Sequence, residues 1–160
     1  MSKIIHVLRI QNMFKDDFVC VSIKNNIWYE YINHRWHEID SGNTLRMTIS
    51  KEMHKIYSDM QQEISAKVQI MDPADPQREK VMEGTKMLGV ISTNLKKTTH
   101  KDNIMKETRD LFYDRRFLEQ LDSNPYLLCF NNGVIDFKLK TFRKGNPEDC
   151  LSKCTGIDYI

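Results

Sequence analysis

A compact turn signal, Asn131-Asn132-Gly133, separates two short apolar runs near the end of this chain. The runs are Tyr126–Phe130 and Val134–Phe137, and a third run follows at Thr141–Arg143. Glycine and asparagine tolerate the positive φ angles that tight hairpin turns require. The stretch therefore predicts an antiparallel β-hairpin that a third short strand extends.

A second segment of this type lies at residues 18–39. Residues 18–23, 27–32 and 36–39 are rich in aromatic and β-branched side chains, and polar turn residues separate them. The pattern predicts an antiparallel meander.

Between these two segments the apolar residues recur with a helical period. A stripe begins after Ser50, whose hydroxyl is expected to cap the helix, and Pro73 and Pro76 interrupt it. The stripe consists of Met53, Ile56, Tyr57, Met60 and Ile64.

Two more helices are predicted after the prolines. The first covers residues 77–95. The second starts at Asp102, after a break at Thr98-Thr99-His100, and continues to Leu121. Its inward-facing residues are expected to be Ile104, Thr108, Leu111 and Phe112. With a short helix at residues 3–13, the chain is expected to be an α+β protein with small antiparallel β-sheets at both ends and a central group of two to three helices.

The length of 160 residues suits a single module. We predict a helix and meander at 1–43, a helical part at 44–122 and hairpins at 123–160. The last residues, Thr155–Ile160, are typical of a strand or an approach to one, and no polar tail follows them, so we expect a piece of a longer protein.

Composition excludes several classes of protein. Hydrophobic residues make up 40% of the chain, which is enough for a core. No apolar run reaches the roughly 20 residues of a membrane helix, and the N-terminus lacks a secretory apolar region. The four cysteines do not suggest a disulfide scaffold. We therefore expect an intracellular protein without a membrane partner.

Sequence signatures of catalysis are missing. The six glycines are scattered, so no Gly-x-x-x-x-Gly-Lys-Ser/Thr loop can cradle a phosphate. A metal site formed by His34, His37, Cys150 and Cys154 is disfavoured, because the spacings do not fit the usual zinc motifs. We expect no catalysis, no metal and no cofactor in this segment.

The aromatic side chains of the meander allow two interpretations. Trp28 and Trp36 could form a stacking platform for single-stranded bases. Cross-strand aromatic pairs also stabilise small sheets, and we favour that interpretation.

Basic residues form two groups that could follow a phosphate backbone. The first surrounds the predicted break before the third helix, and the second decorates the last hairpin. A solvated surface is at least as good an interpretation for any one residue, and acids are interleaved with the basic residues that follow Lys101. The candidates are Lys96, Lys97, Lys101, Lys106, Arg109, Lys138, Lys140, Arg143 and Lys144, of which Lys96, Lys97 and Lys101 are favoured.

The chain resembles a known family at several places. The stretch Asn124–Phe137 and its continuation at Asn146–Asp149 and Ser152–Gly156 are similar to the segment just upstream of the ATPase domain in poxvirus-type superfamily 3 helicase-primases of large nucleocytoplasmic DNA viruses. The meander with Trp28 and Trp36 is a second match in the same order. Residues 73–101 match less well.

This resemblance implies a non-catalytic module between a primase and a hexameric ATPase, which helps a ring to assemble and passes DNA to the motor. DNA, further copies of the protein and other replication proteins are the implied partners, in the host cytoplasm at viral replication sites. ATP and Mg²⁺ are implied for the flanking ATPase domain. A stand-alone nucleic-acid-binding adaptor is the alternative function, and no residue pattern favours a small stand-alone enzyme.

Overall fold

The computed structural model describes the chain from Lys3 to Ile160, with side chains from Leu8 onward. Met1 and Ser2 of the predicted module lie outside the described residues. The helices are α1 Lys3–Phe14, α2 Asn43–Thr48, α3 His54–Ile70, α4 Arg78–Asn94, α5 Thr98–Leu111 and α6 Phe117–Gln120. The strands are β1 Phe18–Ser22, β2 Ile27–Ile32, β3 Arg35–Asp40, β4 Leu127–Phe130, β5 Gly133–Asp136 and β6 Thr141–Arg143.

The described strands form two three-stranded antiparallel sheets, in the orders β1-β2-β3 and β4-β5-β6. Most of the helical residues lie between the two sheets in sequence. The predicted α+β class is therefore confirmed.

The chain divides into two compact units. One unit, here called the sheet unit, consists of the chain up to Thr44 together with Lys106–Ile160 and contains both sheets. The other, here called the helical unit, is Leu45–Met105. The helical unit is thus inserted in sequence between the two halves of the sheet unit.

The meander turns through residues with positive φ. Between β2 and β3, Asn33 has φ 51° and His34 has φ 67°, and the flanking residues Ile32 and Arg35 are paired. Two successive positive φ angles in a two-residue loop are the geometry of a type I′ turn, which matches the twist of the strands. The predicted turn at this position is confirmed.

The turn between β4 and β5 has a different basis from the one predicted. Neither asparagine nor Gly133 has a positive φ. A Cβ on Gly133 would lie 2.6 Å from the carbonyl oxygen of Arg143, so this glycine allows close approach of β6. The side chain of Asn132 exchanges two hydrogen bonds of 2.9 Å with the backbone of Tyr159, holding the end of the chain beside the hairpin.

Trp36 joins the meander to the C-terminal segment of the sheet unit. Its ring packs edge-on against Phe117, with centroids 5.0 Å apart. Its indole N–H donates to the carbonyl oxygen of Pro147 at 2.8 Å, and its backbone N–H donates to that of Leu151 at 2.7 Å. Parts of the chain separated by 111 residues therefore meet at one side chain.

Two acidic side chains fix the C-terminal segment further. The Asp122 carboxylate accepts hydrogen bonds from the backbone N–H groups of Ser152 at 2.7 Å and Lys153 at 3.2 Å. Asp149 binds the Arg143 guanidinium through two hydrogen bonds of 2.7 Å. Such bidentate pairs add geometric specificity as well as energy.

The first long helix starts earlier than predicted. It begins at Asn43, directly after a turn in which Ser41 and Gly42 have positive φ, and α2 passes through a π-helical turn, Ile49–Met53, into α3. Ser50 lies inside this helix and its hydroxyl caps nothing, so the predicted N-cap is wrong. The predicted apolar stripe is nevertheless correct: its members are buried or half-buried.

The boundaries of α5 also differ from the prediction. The helix begins at Thr98, where a break was expected, and ends at Leu111, which is 38% exposed and does not point inward. Beyond it, Phe112 accepts a hydrogen bond from the Cys20 N–H, and Asp114 donates one to the Cys20 carbonyl. Pairing with β1 therefore takes the backbone out of the helix before α6.

We predict that Asp122→Ala destabilises the protein by about 2 kcal/mol, because two backbone donors lose a charged acceptor. Burial alone would raise the pKa of Asp122, but the hydrogen bonds from Ser152 and Lys153 outweigh burial and hold the pKa below its ordinary value of 3.8. The stabilisation is therefore complete above pH 3.8 and is lost as the pH falls through the lower folded-state pKa.

Urea unfolding at several pH values measures this effect. The variant should show a smaller loss of unfolding free energy below pH 3.8 than the unsubstituted protein. Equal pH dependence of the two proteins would contradict the assigned role of Asp122.

Candidate nucleic-acid interface

The connection between α4 and α5 presents two adjacent lysines. Leu95 is only 1% exposed and anchors the turn in the helical unit. The backbone N–H groups of Lys96 and Lys97 donate to the carbonyls of Thr93 and Asn94, which fixes the turn, and both lysine side chains are exposed. The buried leucine and the tight turn together direct positive charge to solvent.

The charge of this surface is not neutralised locally. Within the described residues, the side chains of Lys96, Lys97 and Lys101 take part in no ion pair. The nearest acid in sequence, Asp102, is held by Arg46, whose Nη2 and Nε lie 2.8 and 3.0 Å from one carboxylate oxygen. The pair leaves the three lysines uncompensated.

Arg46 was not identified from the sequence. It lies 56 residues from Asp102, and no local pattern links the two.

The first turn of α5 adds to the positive potential. It contains no acidic side chain. The first N–H groups of a helix have no intrahelical acceptor and carry partial positive charge. Beside the three lysines, these groups are suited to donate hydrogen bonds to a phosphate oxygen.

A buried polar contact supports the helices behind this surface. The Ser92 hydroxyl lies 2.7 Å from Nδ1 of His54, and Ser92 is buried. The contact joins the first residue of α3 to the end of α4, shortly before the lysine turn. Satisfied buried polar contacts of this kind favour one arrangement of the helices.

The two basic residues farther along α5 belong to the sheet unit. Lys106 is exposed, and Arg109 donates a long hydrogen bond of 3.4 Å to the carbonyl of Ile23. Their use in nucleic-acid binding stays a prediction.

The basic residues of the last hairpin differ in availability. Arg143 is occupied by Asp149 and lies 3.7 Å from Asp136, so its guanidinium serves the fold and is a poor phosphate ligand. Lys138 lies over the ring of Tyr126, 4.4 Å from its centroid. Lys140 and Lys144 are exposed.

Both tryptophans belong to the core of the sheet unit. Trp28 is 0% exposed and packs against Phe112 with ring centroids 5.9 Å apart, while Trp36 is 5% exposed. Buried rings cannot stack on a base in this conformation. The structure therefore favours a core role for Trp28 and Trp36 over a role as a stacking platform for nucleic-acid bases.

Three of the four residues considered for a metal site have other side-chain contacts. His34 accepts a hydrogen bond from the N–H of Gly145, His37 pairs with Arg35, and the Cys154 thiol contacts Asn131. Within the part of the chain that the structure describes, no group of three or more His, Cys, Asp or Glu residues is placed to hold a metal ion.

The molecule is thus a small α+β module whose helical unit carries an uncompensated lysine surface. Residues 7–160 match the family described as D5 N terminal like. The chain belongs to this family, which confirms the resemblance to the N-terminal part of viral helicase-primases.

Relatives in large DNA viruses support this assignment. A protein of Acanthamoeba polyphaga mimivirus, provisionally named helicase L207/L206, is 42% identical over 147 residues, which cover 92% of this chain and 15% of that protein. A protein of Frog virus 3 (isolate Goorha), provisionally named helicase 022R, is 28% identical over an alignment 171 positions long, which covers 89% of this chain and 18% of that protein. The chain therefore spans less than a fifth of the length of these relatives.

A shorter match lies in a protein of Invertebrate iridescent virus 3, provisionally named helicase 121R. It is 46% identical over 59 residues, which cover 37% of this chain and 6% of that protein.

Among the described residues, no helix is both long enough and apolar enough to span a membrane.

The burial of both tryptophans yields a fluorescence prediction. Because Trp28 and Trp36 are the two tryptophans of the chain, saturation with single-stranded DNA should leave the emission intensity and wavelength maximum nearly unchanged. Binding is followed in parallel through a dye on the DNA. Strong quenching that follows the binding curve would instead show base stacking on a tryptophan.

Proposed function

We propose that this chain is a non-catalytic module of a viral replicative helicase-primase, which handles DNA and couples a primase to a hexameric ATPase. The observation that carries the DNA-handling part is the surface of Lys96, Lys97 and Lys101, which has no ion-pair partner in the described chain. Membership of the D5 N-terminal-like family supports the placement in a helicase-primase.

The proposal assigns the chemistry to other parts of the longer protein. ATP and Mg²⁺ bind the flanking ATPase domain, and the present module acts through surfaces. Its work takes place at replication sites in the host cytoplasm, with DNA, further copies of the protein and other replication proteins as partners. Hydrolysis of nucleoside triphosphates by this chain alone would contradict the non-catalytic role.

The composition of the helical unit agrees with a DNA-facing role. Leu45–Met105 contains ten Lys and Arg residues and eight Asp and Glu residues, so it carries all of the net charge of +2. Three of these ten basic residues lie within the six-residue segment Lys96–Lys101, which contains no acidic residue. A local excess of this kind attracts a polyanion more than the net charge suggests.

A stand-alone nucleic-acid-binding adaptor is the second candidate, and the same lysine surface favours it. The two functions differ in self-association, which only the ring-assembly module requires. Sedimentation of the chain at rising concentration, with and without DNA, separates them. A protein that binds DNA as a monomer under all these conditions would favour the adaptor.

We predict that Lys96→Gln/Lys97→Gln/Lys101→Gln weakens binding to single-stranded DNA. Loss of three phosphate contacts should reduce the magnitude of the slope of log K against log salt by about 2, at roughly 0.7 for each contact. Fluorescence anisotropy with a dye-labelled oligonucleotide between 50 and 200 mM salt, as is usual for such slopes, measures affinity and slope together.

The matched control is Lys51→Gln/Lys55→Gln/Lys80→Gln, which removes the same charge from exposed positions of the same unit. It should change the slope by much less. Equal effects of the two triple variants would show that net charge, not the surface before α5, governs binding.

A further inference from the structure

The sheet unit contains a groove with an aromatic floor. Its volume is about 320 Å³, within the range of pockets that hold ligand-sized groups. At its base lie Trp36, Phe112 and Phe117, which come from β3, from the segment after α5 and from α6 and are only 5–6% exposed. Leu111 and Tyr113 are partly exposed at its side. The groove therefore offers apolar contact to an incoming side chain.

The rim of this groove is acidic. Asp16, Asp114 and Glu148 line it, and Lys15 is the opposing base within the lining. Cys150 also lines the groove, and the pKa of its thiol agrees with an acidic surrounding. Burial raises this pKa, and the neighbouring Asp149, Asp114 and Glu148 carboxylates raise it further. An occupant that combines apolar and basic side chains would complement both floor and rim.

The tip of the hairpin between β5 and β6 has this combination of side chains. Phe137 is 54% exposed and Leu139 is 67% exposed, and each is followed by an exposed lysine, Lys138 and Lys140. The sequence Phe137-Lys138-Leu139-Lys140 is here called the tip. Exposure of two large apolar residues on one turn contributes nothing to the stability of the free chain.

The tip is also held in one conformation. A carboxylate oxygen of Asp136 accepts hydrogen bonds of 3.0 Å from the N–H groups of both Lys138 and Leu139. The Phe137 N–H donates to the carbonyl of Tyr126 at 2.9 Å, and the Lys138 ammonium lies over the ring of that tyrosine. A surface that is already ordered loses little entropy on binding.

We propose that the tip of one copy docks in the acidic aromatic groove of a second copy, with Leu139 in the groove and the two lysines facing the acidic rim. This inference rests on the proposed assembly function and gives that function a surface. Because the tip and the groove are different patches, the contact is heterologous, and repetition of it closes a ring or extends a filament.

Photo-crosslinking from the tip tests the contact directly. Benzoylphenylalanine replaces Leu139, and the 160-residue chain is mixed with a ¹⁵N-labelled copy, so that mass spectrometry distinguishes crosslinks between copies from those within one. Crosslinks between copies should fall on residues 111–120 and 147–150. Asp16→Lys/Glu148→Lys in the acceptor copy should lower their yield about tenfold, as the loss of a few charged contacts does.

Restoring the charge complementarity supplies the decisive control. Lys138→Glu/Lys140→Glu in the donor copy, which carries the crosslinker, should recover the yield with the Asp16→Lys/Glu148→Lys acceptor. The matched substitutions Lys24→Glu in the donor and Glu107→Lys in the acceptor lie on exposed positions outside both patches and should change nothing.

Each other outcome overturns the docking contact in a recognisable way. Crosslinks to another surface, in a protein that self-associates by sedimentation, leave the assembly function standing and refute this contact. Absence of crosslinks between copies at high concentration also refutes it. Crosslinks from the tip to added DNA would assign the tip to nucleic-acid binding. Failure of the proposed DNA function is recognised separately: the variant at Lys96, Lys97 and Lys101 would then bind DNA as well as the unsubstituted protein in the anisotropy experiment.

Discussion

The attachment of the C-terminal segment to Trp36 is the interaction on which the sheet unit depends. The indole and backbone N–H groups of this residue bind the carbonyls of Pro147 and Leu151. Asp122 and the Arg143–Asp149 pair secure the same segment from other sides. Because the two halves of this unit are joined in this way, the intervening Leu45–Met105 can form a separate helical unit.

Elements with a strong local pattern could be predicted from the sequence. The bounds of β2 follow from its density of aromatic and β-branched residues, and the apolar stripe of α3 follows from the helical period. The start of α2 at Asn43 and the start of α5 at Thr98 could not, because Asn and Thr suit a turn as well as the beginning of a helix. The end of α5 is set by pairing with Cys20, a tertiary contact that overrides helix propensity.

Among the candidate sites, too, some could be predicted from the sequence and others could not. The lysine surface before α5 is contiguous in sequence, so it could be found there, whereas its neutralised neighbour Asp102 becomes evident only with Arg46 in place. The structural roles of Gly133 and Asn132 also depend on contacts with residues distant in sequence, in β6 and at Tyr159. The acidic groove is assembled from α1, the meander, the segment around α6 and the C-terminal segment, so no local pattern could reveal it.

The two units present surfaces of different chemistry. The helical unit presents lysines that no acid in the described chain neutralises, while the sheet unit holds apolar and acidic surfaces suited to another protein. Electrostatic attraction to phosphate is long-ranged and sensitive to salt, whereas apolar docking is short-ranged and depends on shape. The two proposed contacts, with DNA and with a neighbouring copy, therefore use different residues and different physical interactions.

Amide chemical-shift mapping of the ¹⁵N-labelled chain with single-stranded DNA would locate the DNA contact residue by residue. We expect shifts concentrated at residues 95–101, reversed by added salt, and no change at the indole N–H groups of Trp28 and Trp36. Shifts confined to residues 137–144, or no shifts at low salt, would contradict the assignment of DNA binding to the surface before α5.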